Sequence, residues 1–336
     1  MMRPRLAFAM AAAKTRFVFD EAALLRLSQC CDILAPEPLE ELSTPAARSV
    51  LGDAEILITG WGCPQISKEV VLAAPRLRLI AHAAGTVKYH LDAAVYEAGI
   101  AVTNAAYANA VPVAEYTLAM IILANKRILD FRDGYRADPT RKSSHVLVDE
   151  PIGNYRRTIG IVGASRIGRR VIELLAPLDC AVLLCDPHVR PGDEICRRAE
   201  LTELDDLVQR SDVVSLHAPS LPSTRHMIGA RELRLLRDGA TLINTARGAL
   251  VDEAALIGEL ESGRIAAVID VTDPEIPPPD SPLFRLPNVF LTPHIAGAVG
   301  TEKSRLGHLV VDEIERFVAG QPLQHQVQPT LLEQLA

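Results

Sequence analysis

Residues 158–168 read TIGIVGASRIG. An apolar run able to lie buried in a parallel sheet leads into a turn at Gly163, and a helix opens with Gly168 where it must pack against the strand. The middle glycine of the G-x-G-x-x-G pattern is replaced by Ser165. A side chain there hinders close approach of a diphosphate to the backbone. Serine is also a good helix N-cap, and its hydroxyl can donate to a phosphate oxygen beside the free amides of a helix start. Gly163, Ala164, Ser165, Arg166, Ile167 and Gly168 are therefore the candidate diphosphate cradle. Asp186 ends the next apolar run, 186 − 168 = 18 residues on, where a carboxylate can accept from ribose hydroxyls. Its charge repels a 2′-phosphate, which favours NAD over NADP, and Arg190 nearby works against that preference. The plainer alternative is a packing glycine and a turn-capping aspartate.

Outward from this loop, short apolar runs alternate with helical patterns, the signature of parallel strands joined by crossover helices. Strands are predicted at 6–10, 55–59, 79–83 and 100–102, with helices at 21–28 and 92–98 between them. A second set follows at 159–162, 181–185, 213–216, 240–244, 266–271 and 289–291. The fold class is α/β, with two Rossmann-like parallel-sheet domains, one flavodoxin-like and one dinucleotide-binding, and a cleft between them. A length of 336 residues also suggests two domains. Residues 1–105 with 298–336 form the predicted substrate-binding domain and 106–297 the NAD-binding domain, with hinges near Ala106 and Gly297. A helical pattern runs over 113–130, and the polar stretch 131–145 breaks the periodicity. The helix at 301–319 comes too late for the second sheet and is expected to return to the first domain. Five prolines between Pro274 and Pro282 make a stiff surface loop.

Composition narrows the function classes. Hydrophobic residues at 49% and charged residues at 23% are ordinary for a globular chain. A net charge of −7 with scattered arginines argues against a nucleic-acid surface. Cys30, Cys31, Cys63, Cys180, Cys185 and Cys196 form no C-x-x-C pair, so reduced thiols in a cytoplasmic protein are expected, with no metal site. Arg3 and Arg5 before the apolar run 6–13 have the outline of a signal peptide, but the run is short and Lys14 and Arg16 follow, so a buried strand is the better reading. No other segment approaches a membrane span, and no membrane partner is expected.

Three residues can carry chemistry. In LINTARGALVDE (242–253), Arg247 follows a strand, at the sheet end where ligands bind in open α/β folds. Its planar fork can hold a carboxylate by two parallel hydrogen bonds and lend charge to a neighbouring keto oxygen; an arginine paired with a surface acid is the bland alternative. In LTPHIAG (291–297), His294 follows a strand and a proline, and can give or take a proton near neutral pH. A lone strand-end histidine is more often structural, but Glu275 in the preceding stiff loop can fix its tautomer.

From about 104 to 297 the sequence resembles the D-isomer-specific 2-hydroxyacid dehydrogenase family. The motifs are VAE (113–115), the 158–168 loop, SLHAPSLPST (215–224), NTARGALVDE (244–253), DVTDPE (270–275) and TPHIAG (292–297). The resemblance implies a catalytic set of Arg247, Glu275 and His294. It also implies that Asp270 holds the nicotinamide amide, that His217, Pro219, Thr245 and Ala246 lie against ribose and ring, and that Thr224 borders the diphosphate; Gly297 is a further candidate cofactor contact. His217 fits equally well as a core residue. The family's glycine-rich turn corresponds to HAAGTVK (82–88), where Ala84, Gly85 and Thr86 are expected to receive the substrate carboxylate. Only Gly85 matches clearly there, which leaves the identity of the acid open.

The expected activity is NAD-dependent interconversion of a small 2-keto acid and its D-2-hydroxy acid in the interdomain cleft, by a likeness-implied homodimer. An NAD(H)-sensing, corepressor-like binding protein is the rival reading; the chain's end soon after its last helix speaks against an appended partner-binding tail and against added regulatory domains. Formate oxidation on a related scaffold pairs the histidine with an amide, which Glu275 disfavours.

Overall fold

A computed structural model describes residues 3–88, 90–140 and 142–329. It divides into two compact units that change over between Asn109 and Ala110 and between Gly297 and Ala298.

The first unit is a five-stranded sheet of β1 (Arg5–Ala9), β2 (Asp32–Ile33), β3 (Ile56–Thr59), β4 (Leu79–His82) and β5 (Ala101–Asn104), ordered β2-β1-β3-β4-β5. Every pairing is parallel, and this order is the flavodoxin-like one. Leu6, Ile56, Ile58, Leu79 and Ile80 are fully buried, each side chain worth about 1.5–3 kcal/mol in transfer from water. The apolar start of the chain is thus the interior strand β1, flanked by β2 and β3. Helix Glu21–Cys30 is capped by Asp20, which accepts from Ala23 N. The last helix, Lys303–Val318, packs on the same unit through Leu306, Val310 and Ile314, and Glu315 and Asp312 on it accept from Arg26 at 2.6–2.9 Å.

The second unit is a seven-stranded parallel sheet of β6 (Thr158–Val162), β7 (Ala181–Cys185), β8 (Glu200–Leu201), β9 (Val213–Leu216), β10 (Thr241–Asn244), β11 (Ala266–Ile269) and β12 (Val289–Leu291). Its order is β12-β11-β10-β9-β6-β7-β8. Chain direction across the sheet reverses between β6 and β9, so a crevice is expected outside their carboxyl ends. Those ends are Val162 and Leu216, paired in register, and they lead directly into Gly163 and His217.

Two departures from the sequence reading stand out. The long helix runs over Ala106–Asn125 and is long and apolar enough to cross a membrane by length and composition alone. Instead Ala114 and Ile121 are buried in the second unit's core, with Tyr116, Leu118 and Met120 packed around them. The stretch 131–145 is not irregular: helix Ile128–Ala137 and the single turn Lys142–His145 form there. Helix Ile128–Ala137 has no buried residue, so no core-facing stripe interrupts its polar composition, and Arg127 in a left-handed conformation (φ 47°) separates it from the long helix.

Candidate active site

The turn after β6 is built by steric necessity. Gly163 has φ of 101°, a left-handed conformation that favours glycine, and a Cβ there would lie 2.6 Å from Ala218 N. Its own N–H donates to Cys185 O at 2.8 Å, tying the turn to the end of β7. Ser165 is the N-cap of helix Arg166–Leu175, its Oγ accepting from Gly168 N at 3.3 Å. The hydroxyl proton is not consumed by that bond and is available to an anion at the helix start. Asp186 accepts from Ala164 N at 2.6 Å and from His188 N at 2.7 Å, one bond to each oxygen. A carboxylate has about four acceptor positions, so capacity for ribose hydroxyls is left. These features fit a dinucleotide: a backbone turn at the strand reversal, an uncommitted hydroxyl proton and an acid at the end of β7.

His217 is buried, with Nε2 3.0 Å from Ser215 Oγ. Its Nδ1 is a buried nitrogen without a hydrogen-bond partner, and burial pushes the imidazole down to about 3. Thr224 knots the following loop: its Oγ lies 2.6 Å from Pro219 O and accepts from Leu221 N at 2.9 Å.

Arg247 leaves the end of β10 in an extended conformation. Asn244 holds this corner, donating from Nδ2 to Arg247 O at 2.9 Å and accepting from Ala246 N at 3.1 Å. Arg247 Nη1 donates to the neighbouring Ala246 carbonyl at 2.6 Å. Among the described residues no carboxylate pairs with it, which leaves the guanidinium for a ligand. Gly248 sets how near this corner comes to the next loop: a Cβ would sit 2.0 Å from the Thr272 carbonyl carbon.

His294 Nδ1 and Glu275 Oε1 are 2.5 Å apart. Both side chains are about half exposed, 47% and 58%, so the pair is open to an incoming molecule. Asp270, by contrast, is buried, and its Oδ1 accepts from Thr292 Oγ1 at 2.6 Å and Ile295 N at 2.8 Å while Oδ2 accepts from Ala296 N at 2.9 Å. His294 N donates to Asp270 O at 2.9 Å. The carboxylate at the end of β11 therefore encloses the turn that carries His294, whose φ is 53°.

The profile of the D-isomer specific 2-hydroxyacid dehydrogenase NAD binding domain matches residues 118–296, a span that includes the 163–168 turn, Asp186, Arg247, Glu275 and His294. The chain belongs to the D-isomer-specific 2-hydroxyacid dehydrogenase family. It is 36% identical over 258 residues to the D-3-phosphoglycerate dehydrogenase of Mycobacterium tuberculosis, matching 76% of this chain and 48% of that one. The chain thus spans about half the length of the phosphoglycerate dehydrogenases it matches. To the glyoxylate reductase of Korarchaeum cryptofilum it is 35% identical over 271 residues, 80% of both chains. The solved 2-hydroxyacid dehydrogenase of Ketogulonicigenium vulgare is 26% identical, with a TM-score of 0.74 and coverage of 98% and 99%. The segment matched by the NAD binding domain profile lies wholly within the second unit.

In the first unit, a turn follows β4. Ala84 is buried, Ala105 N donates to Ala84 O at 3.0 Å, and Thr86 Oγ1 accepts from Lys88 N at 3.3 Å. At Gly85 a Cβ would find its nearest neighbour at 3.9 Å, so the fold itself does not demand glycine there.

Four residues of this candidate site escape sequence reading. Asn244 and Thr292 stand inside the motifs around Arg247 and His294, and Tyr116 and Thr117 directly follow VAE. Tyr116 OH is 2.8 Å from Thr292 Oγ1, and Thr117 Oγ1 is 3.1 Å from Thr245 Oγ1. The only available signal was two hydrogen-bonding side chains in an apolar helix.

Proposed function

We propose that the protein reduces a small 2-keto acid to its D-2-hydroxy acid with NADH and catalyses the reverse oxidation. The observation that carries this reading is the half-exposed His294–Glu275 pair on the same unit as an arginine without an acid partner. Bound NADH supplies the hydride that adds to the carbonyl carbon. As that bond forms, the carbonyl π pair moves onto oxygen, and protonated His294 donates its Nε2 proton there. The Nδ1 proton stays directed at Glu275, which fixes the ring and steadies its charge. Arg247 holds the substrate carboxylate and stabilises charge developing on the adjacent oxygen. In oxidation, neutral His294 takes the hydroxyl proton.

Gly163, Ala164, Ser165, Arg166, Ile167 and Gly168 are the proposed diphosphate cradle and Asp186 the ribose acceptor. His217, Pro219, Thr224, Thr245, Ala246, Asp270 and Gly297 complete the proposed cofactor contacts. Ala84, Gly85 and Thr86 are proposed as a second holder of the substrate carboxylate, consistent with the open space beside Gly85. A small substrate is supported by the glyoxylate reductase relative, which this chain matches over four-fifths of both lengths. The test is a panel of glyoxylate, pyruvate, hydroxypyruvate and longer keto acids assayed with NADH and NADPH; no turnover across the panel overturns the reading.

The protein is further proposed to act as a homodimer paired through its second unit. Tyr135, Val146, Val148 and Tyr155 are all more than half exposed, and a groove of about 400 Å³ lies beside Met120, Ile128 and Phe290. Exposed apolar area of this kind favours a covering partner. Light scattering on the purified chain gives the mass that decides. All six cysteines are free, in keeping with a reducing, cytoplasmic setting.

A further inference from the structure

The long helix presents two consecutive hydrogen-bonding side chains, Tyr116 and Thr117, and each reaches a different chemical loop. Tyr116 OH meets Thr292 Oγ1 at 2.8 Å, and Thr292 Oγ1 meets Asp270 Oδ1 at 2.6 Å. An ionised carboxylate only accepts, so Thr292 spends its single proton on Asp270 and Tyr116 must donate to Thr292. The chain of bonds then runs from Tyr116 through Thr292 to Asp270, whose two oxygens also hold the amides of Ile295 and Ala296 on the far side of His294. Burial pushes the Tyr116 phenol up, which keeps it a donor. One residue along, Thr117, fully buried, meets Thr245 Oγ1 at 3.1 Å, and Thr245 stands two residues before Arg247 in the corner held by Asn244.

We infer that Tyr116 and Thr117 are paired positioning residues, neighbours on one rigid helix that fix the His294 turn and the Arg247 corner relative to each other. Neither touches the reacting atoms. The helix backbone sets the separation of the two side chains, so the acid and the carboxylate holder are registered to a common ruler. A misplacement on the order of 1 Å at such groups can cost about 100-fold in rate. This inference rests on the roles proposed above for His294 and Arg247, and its test includes a readout that does not.

Tyr116→Phe and Thr117→Val each remove one hydroxyl at nearly constant shape, and Thr117→Ser restores the second. Hydrogen exchange on the whole protein without cofactor reads the loops directly. Tyr116→Phe is expected to speed exchange in the peptide covering 292–297 and leave 244–250 unchanged, and Thr117→Val to do the converse. With NADH and the best keto acid of the panel, Tyr116→Phe is expected to lower kcat about 10-fold with little change in KM, and Thr117→Val to raise KM by a similar factor. Thr117→Ser is expected to restore both readings. Unchanged exchange in both peptides, or equal loosening of both loops by either variant, overturns the inference. Loop-specific exchange without turnover of any keto acid instead leaves the positioning intact and removes the proposed reaction.

Discussion

His294 Nδ1 lies 2.5 Å from Glu275 Oε1 although 19 residues and a proline-rich loop separate them. The histidine itself occupies a left-handed backbone conformation, φ 53°, which non-glycine residues adopt only where surrounding contacts impose it. Here Asp270 imposes it through the bonds that surround the turn. His294→Gln is therefore expected to keep the turn and lose the proton donor. The reductive kcat should fall by about 100-fold or more, while NADH affinity, followed by quenching of protein fluorescence, stays within a factor of about two. Near-normal turnover removes the acid-base role.

Glu275→Gln tests the partner separately. The amide keeps the length of the side chain and an oxygen acceptor but carries no charge to steady the imidazolium. A fall in kcat of about 10- to 100-fold is expected, with KM for the keto acid nearly unchanged because Arg247, the proposed carboxylate holder, is untouched. A rise in KM alone would assign Glu275 to substrate binding.

Ser165 offers a clean separation of capping from cofactor binding. Glycine is nearly as good an N-cap, costing only a few tenths of a kcal/mol relative to serine (roughly, as caps go), so Ser165→Gly should leave the melting temperature almost unmoved. Loss of a hydroxyl that donates to phosphate costs about 1 kcal/mol, a weakening of NADH affinity of roughly fivefold by titration. Tighter binding would identify the side chain as an obstacle.

Gly248→Ala places a Cβ 2.0 Å from the Thr272 carbonyl carbon, where backbone and not a flexible side chain stands in the way. The Arg247 corner must then move off the loop leading to Glu275. Destabilisation of about 1–3 kcal/mol is expected from overpacking, read as a lower urea midpoint, together with loss of most activity under conditions where the variant remains folded.

Two buried histidines make the fold acid-sensitive. Burial pushes His82 and His217 down to about 3, with His90 adding repulsion at His82. In the unfolded chain each takes a proton near its ordinary value of about 6.5. The unfolded state thus binds more protons below that value, so this contribution to stability is complete above about pH 6.5 and is lost as pH falls toward 3. Between pH 6.5 and 4.5 each ring should cost roughly 2–3 kcal/mol. Urea unfolding followed at several pH values should show this slope, and His217→Gln should flatten it.

Much of the architecture was legible because its strands are apolar runs bounded by turns. Strands β7, β9 and β12 fall on the predicted residues, and the other long strands shift by only a residue or two at their ends. Strands β2 and β8 were missed because each is two residues long, and Asp32, Ile33 and Glu200 are exposed, so neither shows an apolar run. Helix Ile128–Ala137 escaped for a related reason, having no buried face to impose a period. In the site, Arg247, Glu275 and His294 were legible from residue chemistry and motif. The bond from Tyr116 to Thr292 was not, because the two stand 176 positions apart and nothing local in either segment specifies the other.

Strand β12 is three residues long, half-buried, and paired only with β11 at the sheet's edge. Thr292 and His294 follow it immediately. The proposed proton donor therefore hangs from a short edge strand held from one side only, and edge strands are where a sheet frays first. Warming should silence the enzyme before it melts the domain, and cooling should return activity without a refolding lag.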